Sequence, residues 1–201
     1  MAKIKQSPKL PPEKRREQLL NSARKLFVKK GFRGTTTDEI ARKANLTKGA
    51  LYYHFNSKED ILCALLDALG KQYTKATEPL MARRDITPVD IVRALLSIHK
   101  TDDLSEFRGL IDIWVQAIRI PRIMKELEAR HIDAADRLAE CMDRTYGRTR
   151  EERREVVIFA FAFYDGVASR KCVNRDALDV QRQVKLFSRC MEAIKSPVTD
   201  E

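Results

Sequence analysis

A chain of 201 residues, 43% hydrophobic and 34% charged, can bury the core of one domain or two closely packed ones, and seven glycines and seven prolines exclude long repetitive tracts. The net charge of +10 is concentrated: residues 1–60 hold 15 Lys+Arg against 6 Asp+Glu (+9), residues 61–201 hold 24 against 23 (+1), and such a field draws nucleic acid or an anionic membrane surface unless it is a solvated tail around Lys3, Lys5 and Lys9. Met1–Pro12 lacks the apolar core of a secretory signal and the longest apolar run, Val156–Tyr164, has nine residues, so a bilayer span is excluded and a soluble, cytoplasmic chain is expected.

Apolar residues recur at helical spacing nearly throughout, which predicts an all-α fold of about nine helices. After Pro11-Pro12, Leu19, Ala23, Leu26 and Phe27 share one face of a first helix, which Gly31 ends. Thr36 with Glu39 three residues on reads as a capping box opening a short second helix, with Ile40, Ala41 and Ala44 inward and Asn45 closing it. Thr47 caps a third helix carrying Ala50, Leu51 and Phe55. Asn56 and Ser57 offer a cap for a fourth, with Ile61, Leu62, Leu65, Leu66 and Leu69 inside, and Pro79 with the polar stretch Met81–Thr87 breaks the pattern.

Beyond residue 80, Pro88 suits the first turn of a helix through Val92, Leu96 and His99. A helix over about 103–119 carries two apolar stripes, one of them holding Phe107 and Trp114, and is expected to be buried on most sides. Pro121 opens a helix through Leu127, Ala134, Leu138 and Met142 that ends near Gly147. The helix over 151–172 turns apolar all round from Val156 to Tyr164, Phe159 and Phe163 included. Such a helix needs partners on every face, and a second subunit is expected to supply one of them. The last helix, about 176–195, repeats Val180, Val184, Phe187, Met191 and Ile194 at the 4-3-4-3 spacing of a bundle seam. Val156, Phe159, Phe163, Val184, Phe187 and Met191 are therefore the expected homodimer interface.

Chemistry-bearing patterns are few. Cys63, Cys141, Cys172 and Cys190 have no zinc-ligand spacing and read as buried thiols. His131 lies among Glu126, Glu128 and Asp133 without the spacing of a metal-binding helix, and there is no nucleophile elbow, phosphate loop or dinucleotide fingerprint. No enzyme activity, metal or cofactor is expected. A non-specific DNA-coating protein would explain the basic patch, but not the ~140 residues that follow it.

The segment over 36–58, TTDEIARKANLTKGALYYHFNSK, reads as two short capped helices joined by a tight turn, a helix-turn-helix whose second helix enters the major groove of duplex DNA. Lys48 can donate to guanine acceptors, and Tyr52 can donate or pack on a thymine methyl. Small residues such as Gly49 let the backbone approach the bases. Tyr53, His54 and Lys58 offer donors to phosphate, although Tyr53 and His54 could equally cap a core edge, and Lys58 could be a solvated first-turn residue. The strings KGALYYHFNSKEDIL and GFRGTTTDEIA resemble the signature of the TetR family of bacterial transcriptional regulators, over about residues 14–66.

That resemblance implies a three-helix DNA-binding domain over 1–58 and an effector-binding and dimerisation domain over 59–201. It implies a homodimer that binds a palindromic operator in double-stranded DNA, acts as a repressor, and is released by a small-molecule effector. Carried over by motif position, Lys48, Gly49 and Tyr52 read bases, and Thr36, Thr37, Tyr53, His54 and Lys58 hold phosphates. More loosely, WVQAIRIPRIMKEL and the Phe163-Tyr164-Asp165-Gly166 stretch resemble effector-domain segments of some members. Phe107, Trp114 and Gln116 are the expected pocket residues.

Overall fold

The computed structural model describes residues 11–98, 114–116, 118–173 and 178–195. Among them are eight α-helices and one short 3-10 helix, with no strand. The helices are α1 (Pro12–Lys30), α2 (Thr37–Lys43), α3 (Lys48–His54), α4 (Lys58–Met81), α5 (Pro88–Leu96), α6 (Pro121–Cys141), α7 (Arg150–Val173) and α8 (Val180–Ala193). No helix among the described residues is long and apolar enough to cross a membrane.

Contacts divide the chain into two compact units. The first takes the described residues up to Ala68 together with 114–116 and 118–123; the second takes those from Leu69 to 98 and from Met124 onward. The division falls within α4, whose first turns bury Ile61, Leu62, Ala64 and Leu65.

The first unit is built on local signals. Leu19, Ala23 and Phe27 on α1 are fully buried, with Leu26 beside them. Gly31 then takes φ 73°, a left-handed value that favours glycine, and its N–H returns to the Phe27 carbonyl at 2.8 Å. A side chain at Gly34 would lie 2.5 Å from the Lys30 carbonyl oxygen, so only glycine lets the loop pass α1. Thr35, fully buried, donates its hydroxyl to the Gly31 carbonyl at 2.9 Å.

In the second unit the loop before α5 is tied to the end of α6. The Ile86 N–H donates to the Cys141 carbonyl at 3.2 Å, and the Asp143 N–H to the Ile86 carbonyl at 3.1 Å. Thr87 and Asp90 form a capping box at α5, with Pro88 in its first turn. Pro79 lies inside the last turn of α4, which ends two residues later at Met81, where the polar stretch begins. His99 lies outside the described residues. Nor are the cysteines uniformly buried, for Cys63 is half-buried, Cys141 buried and Cys190 exposed, all three free thiols.

α7 is not apolar-lined on all sides by its own chain. Val157, Ala160, Tyr164, Val167 and Ala168 are buried and form its inner stripe, while Ile158 and Phe159 are 40% and 52% exposed. On α8 the expected seam turns inward: Val184, Phe187 and Met191 are 5%, 3% and 2% exposed in the single subunit. Phe187 stacks on Phe163 with ring centroids 4.3 Å apart and lies 5.9 Å from the Phe159 ring. In the single subunit these three α8 residues pack into its core. Residues on the core face of an amphipathic helix have little area left for a partner. Val156 and Phe163 are half-buried; the exposed apolar surface is Ile158, Phe159 and, on α8, Leu186 at 53%.

Candidate nucleic-acid interface

The geometry of α2 and α3 follows from their caps. Thr36 accepts from the Glu39 N–H at 3.2 Å, and the Glu39 carboxylate accepts from the Thr36 N–H at 3.0 Å. The Lys30 ammonium, then the Thr36 amide, hold the Glu39 carboxyl down to about 2. α2 closes in a Schellman arrangement, with Leu46 N–H on the Ala41 carbonyl at 2.9 Å and Asn45 N–H on that of Arg42 at 3.0 Å. Asn45 takes the left-handed φ of 53° this requires, a conformation asparagine tolerates. From α1, the Gln18 side-chain amide donates to the Ala44 carbonyl at 2.8 Å and pins the turn. Thr47 then caps α3 by accepting from the Ala50 N–H at 3.1 Å. Each Thr cap is worth ~1 kcal/mol; together they set the angle at which α3 leaves the turn.

α3 buries Leu51 fully, with Phe55 just beyond its end, and turns its other faces out. Lys48 and Gly49 at its N-terminus and Tyr52 one turn on are all exposed. The Tyr52 hydroxyl stands 3.3 Å from that of Thr37, and the Lys48 ammonium lies 2.9 Å from the Asp38 carboxylate. Asp38 holds the Lys48 ammonium above its ordinary range, first by the hydrogen bond and then by its charge. Tyr53 is 79% exposed and caps no core edge, and its ring meets that of half-buried His54 edge-on at 5.0 Å. Thr36 is exposed and Thr37 half-buried. Sequence reasoning does not single out Asp38, because its link to Lys48 spans ten residues across the turn and leaves no local signature.

Lys58 is a different kind of residue from its neighbours. Half-buried at the start of α4, its ammonium donates to the Phe32 carbonyl at 2.8 Å and to the Thr35 carbonyl at 2.9 Å. It also lies 4.4 Å from the centre of the Phe32 ring. Two of its three protons brace the loop between α1 and α2, and one is left for another acceptor. The α4 cap beneath it is Ser57, which accepts from the Asp60 N–H at 3.0 Å.

Gly49 is not demanded by the protein's own packing. A Cβ there would meet no atom of the described chain nearer than the Thr47 hydroxyl oxygen at 4.0 Å. Gly49→Ala should therefore leave the isolated protein as stable or ~0.5–1 kcal/mol more stable, because alanine loses less entropy in a helix. If the open space admits base edges, the same change weakens binding to operator-like DNA about tenfold or more. Thermal melting and a DNA titration on one preparation check this. Unchanged DNA affinity would remove Gly49 from the contact surface.

Of the expected effector-pocket residues, Trp114 and Gln116 are half-buried and belong to the first unit; Phe107 lies outside the described residues. Among the described residues no group of three His, Cys, Asp or Glu side chains is placed to hold a metal ion.

Residues 19–65 match the family model of the bacterial regulatory proteins of the tetR family. The HTH-type transcriptional regulator TtgR of Pseudomonas putida is 35% identical over 81 residues, which cover 40% of this chain and 39% of TtgR. The match thus spans about two-fifths of that relative's length. Likeness in fold extends further. GusR of Salmonella enterica superposes with a TM-score of 0.73 over 94% of this chain and 99% of its own, at 16% identity. NalD, described as the secondary repressor of the MexAB-OprM multidrug efflux pump in Pseudomonas aeruginosa, gives 0.66 over 94% and 100%, at 22% identity. The capped helix-turn-helix thus lies inside the segment that matches the tetR family model, and the helical architecture is shared with these solved structures nearly end to end.

Proposed function

We propose that this protein is a transcriptional repressor that binds a palindromic operator in duplex DNA as a homodimer and lets go when a small molecule binds. The observation that carries the reading is the outward face of α3. Lys48, Gly49 and Tyr52 lie together on a helix whose inner side is anchored by Leu51, in the most basic third of the chain. Thr36, Thr37, Tyr53, His54 and Lys58 surround that face as phosphate contacts, which position the protein without reading sequence. Dimerisation draws on the exposed apolar surface of α7 and α8, Ile158, Phe159 and Leu186. Reading two half-sites of a palindrome requires a two-fold dimer with recognition helices about 34–36 Å apart, one per half-site. Trp114 and Gln116 are the proposed effector contacts. The protein has no catalytic role in this reading and works in the cytoplasm, beside the DNA it controls.

Selection of bound duplexes from a random pool tests the reading. The wild-type protein should recover a two-fold symmetric sequence, and Lys48→Ala should relax one or two positions per half-site by ~1–3 kcal/mol. A pool that shows no enrichment, or an unchanged preference in the variant, would remove sequence reading by α3.

A further inference from the structure

The outward surface of the helix-turn-helix carries an acidic group where a DNA-binding face would ordinarily be all basic. Asp38 stands in the first turn of α2, and its two carboxylate oxygens lie 2.9 and 3.3 Å from the Lys48 ammonium. Both side chains remain more than half exposed, at 53% and 59%. One residue earlier on α2, the Thr37 hydroxyl meets that of Tyr52 at 3.3 Å. The first turn of α2 therefore touches both of the side chains proposed to read bases, four residues apart on α3.

We propose that Asp38 is a specificity-determining residue: it holds the Lys48 ammonium off the phosphate backbone and yields it only where a base edge offers acceptors. The inference rests on the DNA-reading function proposed above. A lone lysine at the start of a recognition helix is attracted to any phosphate, and that attraction adds affinity for every sequence while carrying no information. Paired with Asp38, the same ammonium contributes little net charge, and the carboxylate itself repels phosphate. An exposed ion pair of this kind is weak, so it gives way readily. The ammonium has three protons, so it can keep one on Asp38 while presenting another to the O6 and N7 acceptors of guanine. At a base pair without those acceptors, Asp38 remains the better partner, and the carboxylate near the groove is left uncompensated. Discrimination then comes from the cost at wrong sites as much as from the gain at right ones. Thr37 plays the matching part for Tyr52, fixing its hydroxyl before DNA arrives.

Asp38→Asn keeps the shape of the side chain and its capability to accept hydrogen bonds, but removes the charge. The test uses the full chain, a duplex recovered by selection with the wild-type protein, and a random-sequence duplex of equal length. Each is titrated at several salt concentrations with wild type, Asp38→Asn, and Asp38→Asn combined with Lys48→Ala. Expected for Asp38→Asn is a gain on random duplex of roughly threefold to tenfold near 0.1 M salt, with a salt slope steeper by about 0.9, the signature of one new phosphate contact. Affinity for the selected duplex should stay within about twofold, so the ratio between the two collapses. In the Lys48→Ala background the gain should vanish. Random-duplex affinity and slope unchanged by Asp38→Asn, or parallel weakening on both duplexes, would overturn the inference and leave Asp38 a helix-terminus residue. If the wild-type protein recovers no preferred duplex at all, the DNA-reading function itself falls and this inference with it. A preferred duplex with an unaltered ratio sinks the inference alone.

Discussion

Phe159→Glu should give a folded, soluble monomer, whereas Phe187→Glu, on the next helix, should not fold. The two aromatic rings are neighbours, 5.9 Å apart, yet one is 52% exposed and the other 3%. Phe187 lies under Phe163 in a stacked contact and belongs to the core of its own subunit. Truncating such a ring to alanine typically costs about 3–5 kcal/mol. A carboxyl in its place adds the cost of burying it, charged or protonated, and the sum is a large share of a domain stability of about 5–15 kcal/mol. At Phe159 the same carboxylate points into water in the single subunit and costs that subunit little. In a two-fold dimer built on Ile158, Phe159 and Leu186, it would be set twice against apolar surface. Light scattering with far-ultraviolet circular dichroism separates the cases. A Phe159→Glu protein that remains a dimer would move the interface elsewhere. A well-folded Phe187→Glu protein would contradict the packing of α8 described above.

Lys58→Met should destabilise the helix-turn-helix and weaken every DNA complex together. Methionine keeps most of the aliphatic stem against Phe32 and removes the ammonium. The carbonyls of Phe32 and Thr35, bonded at 2.8 and 2.9 Å, lose a charged donor in a half-buried setting. Hydrogen bonds to charged groups are each worth about 1.5–3 kcal/mol, so a loss of about 2–3 kcal/mol in unfolding free energy is expected, even after partial replacement by water. Thr36 and Thr37 follow directly on Thr35, so loosening that loop also displaces two proposed phosphate contacts. If the remaining Lys58 proton meets a phosphate, the salt slope of binding becomes shallower by about 0.9. A denaturant titration gives the first quantity and DNA titrations at several salt concentrations the second. A stability loss with the wild-type slope would make Lys58 a brace and strike it from the phosphate set. An unchanged stability would contradict its place between the two carbonyls.

The helix-turn-helix is legible in the sequence because its controlling interactions are short in range. Thr36 and Glu39, Thr47 and Ala50, Gly31 and Phe27, Leu46 and Ala41 all act within five residues of one another. Caps, left-handed residues and the apolar spacing of α1 are properties of a local stretch of backbone, and a local stretch is what a sequence displays. The exposure of Lys48, Gly49 and Tyr52 follows from the same periodicity, once Leu51 is placed inward.

Tertiary structure alone decided the rest. Lys58 reaches main-chain carbonyls 23 and 26 residues away, and Asp38 reaches Lys48 across a turn, so neither role is written in its neighbours. Val184, Phe187 and Met191 announce an apolar stripe, but a stripe does not say whether its own chain or another copy covers it. Periodicity records which residues shun water, whereas the choice of partner depends on where the remaining helices of the chain come to lie.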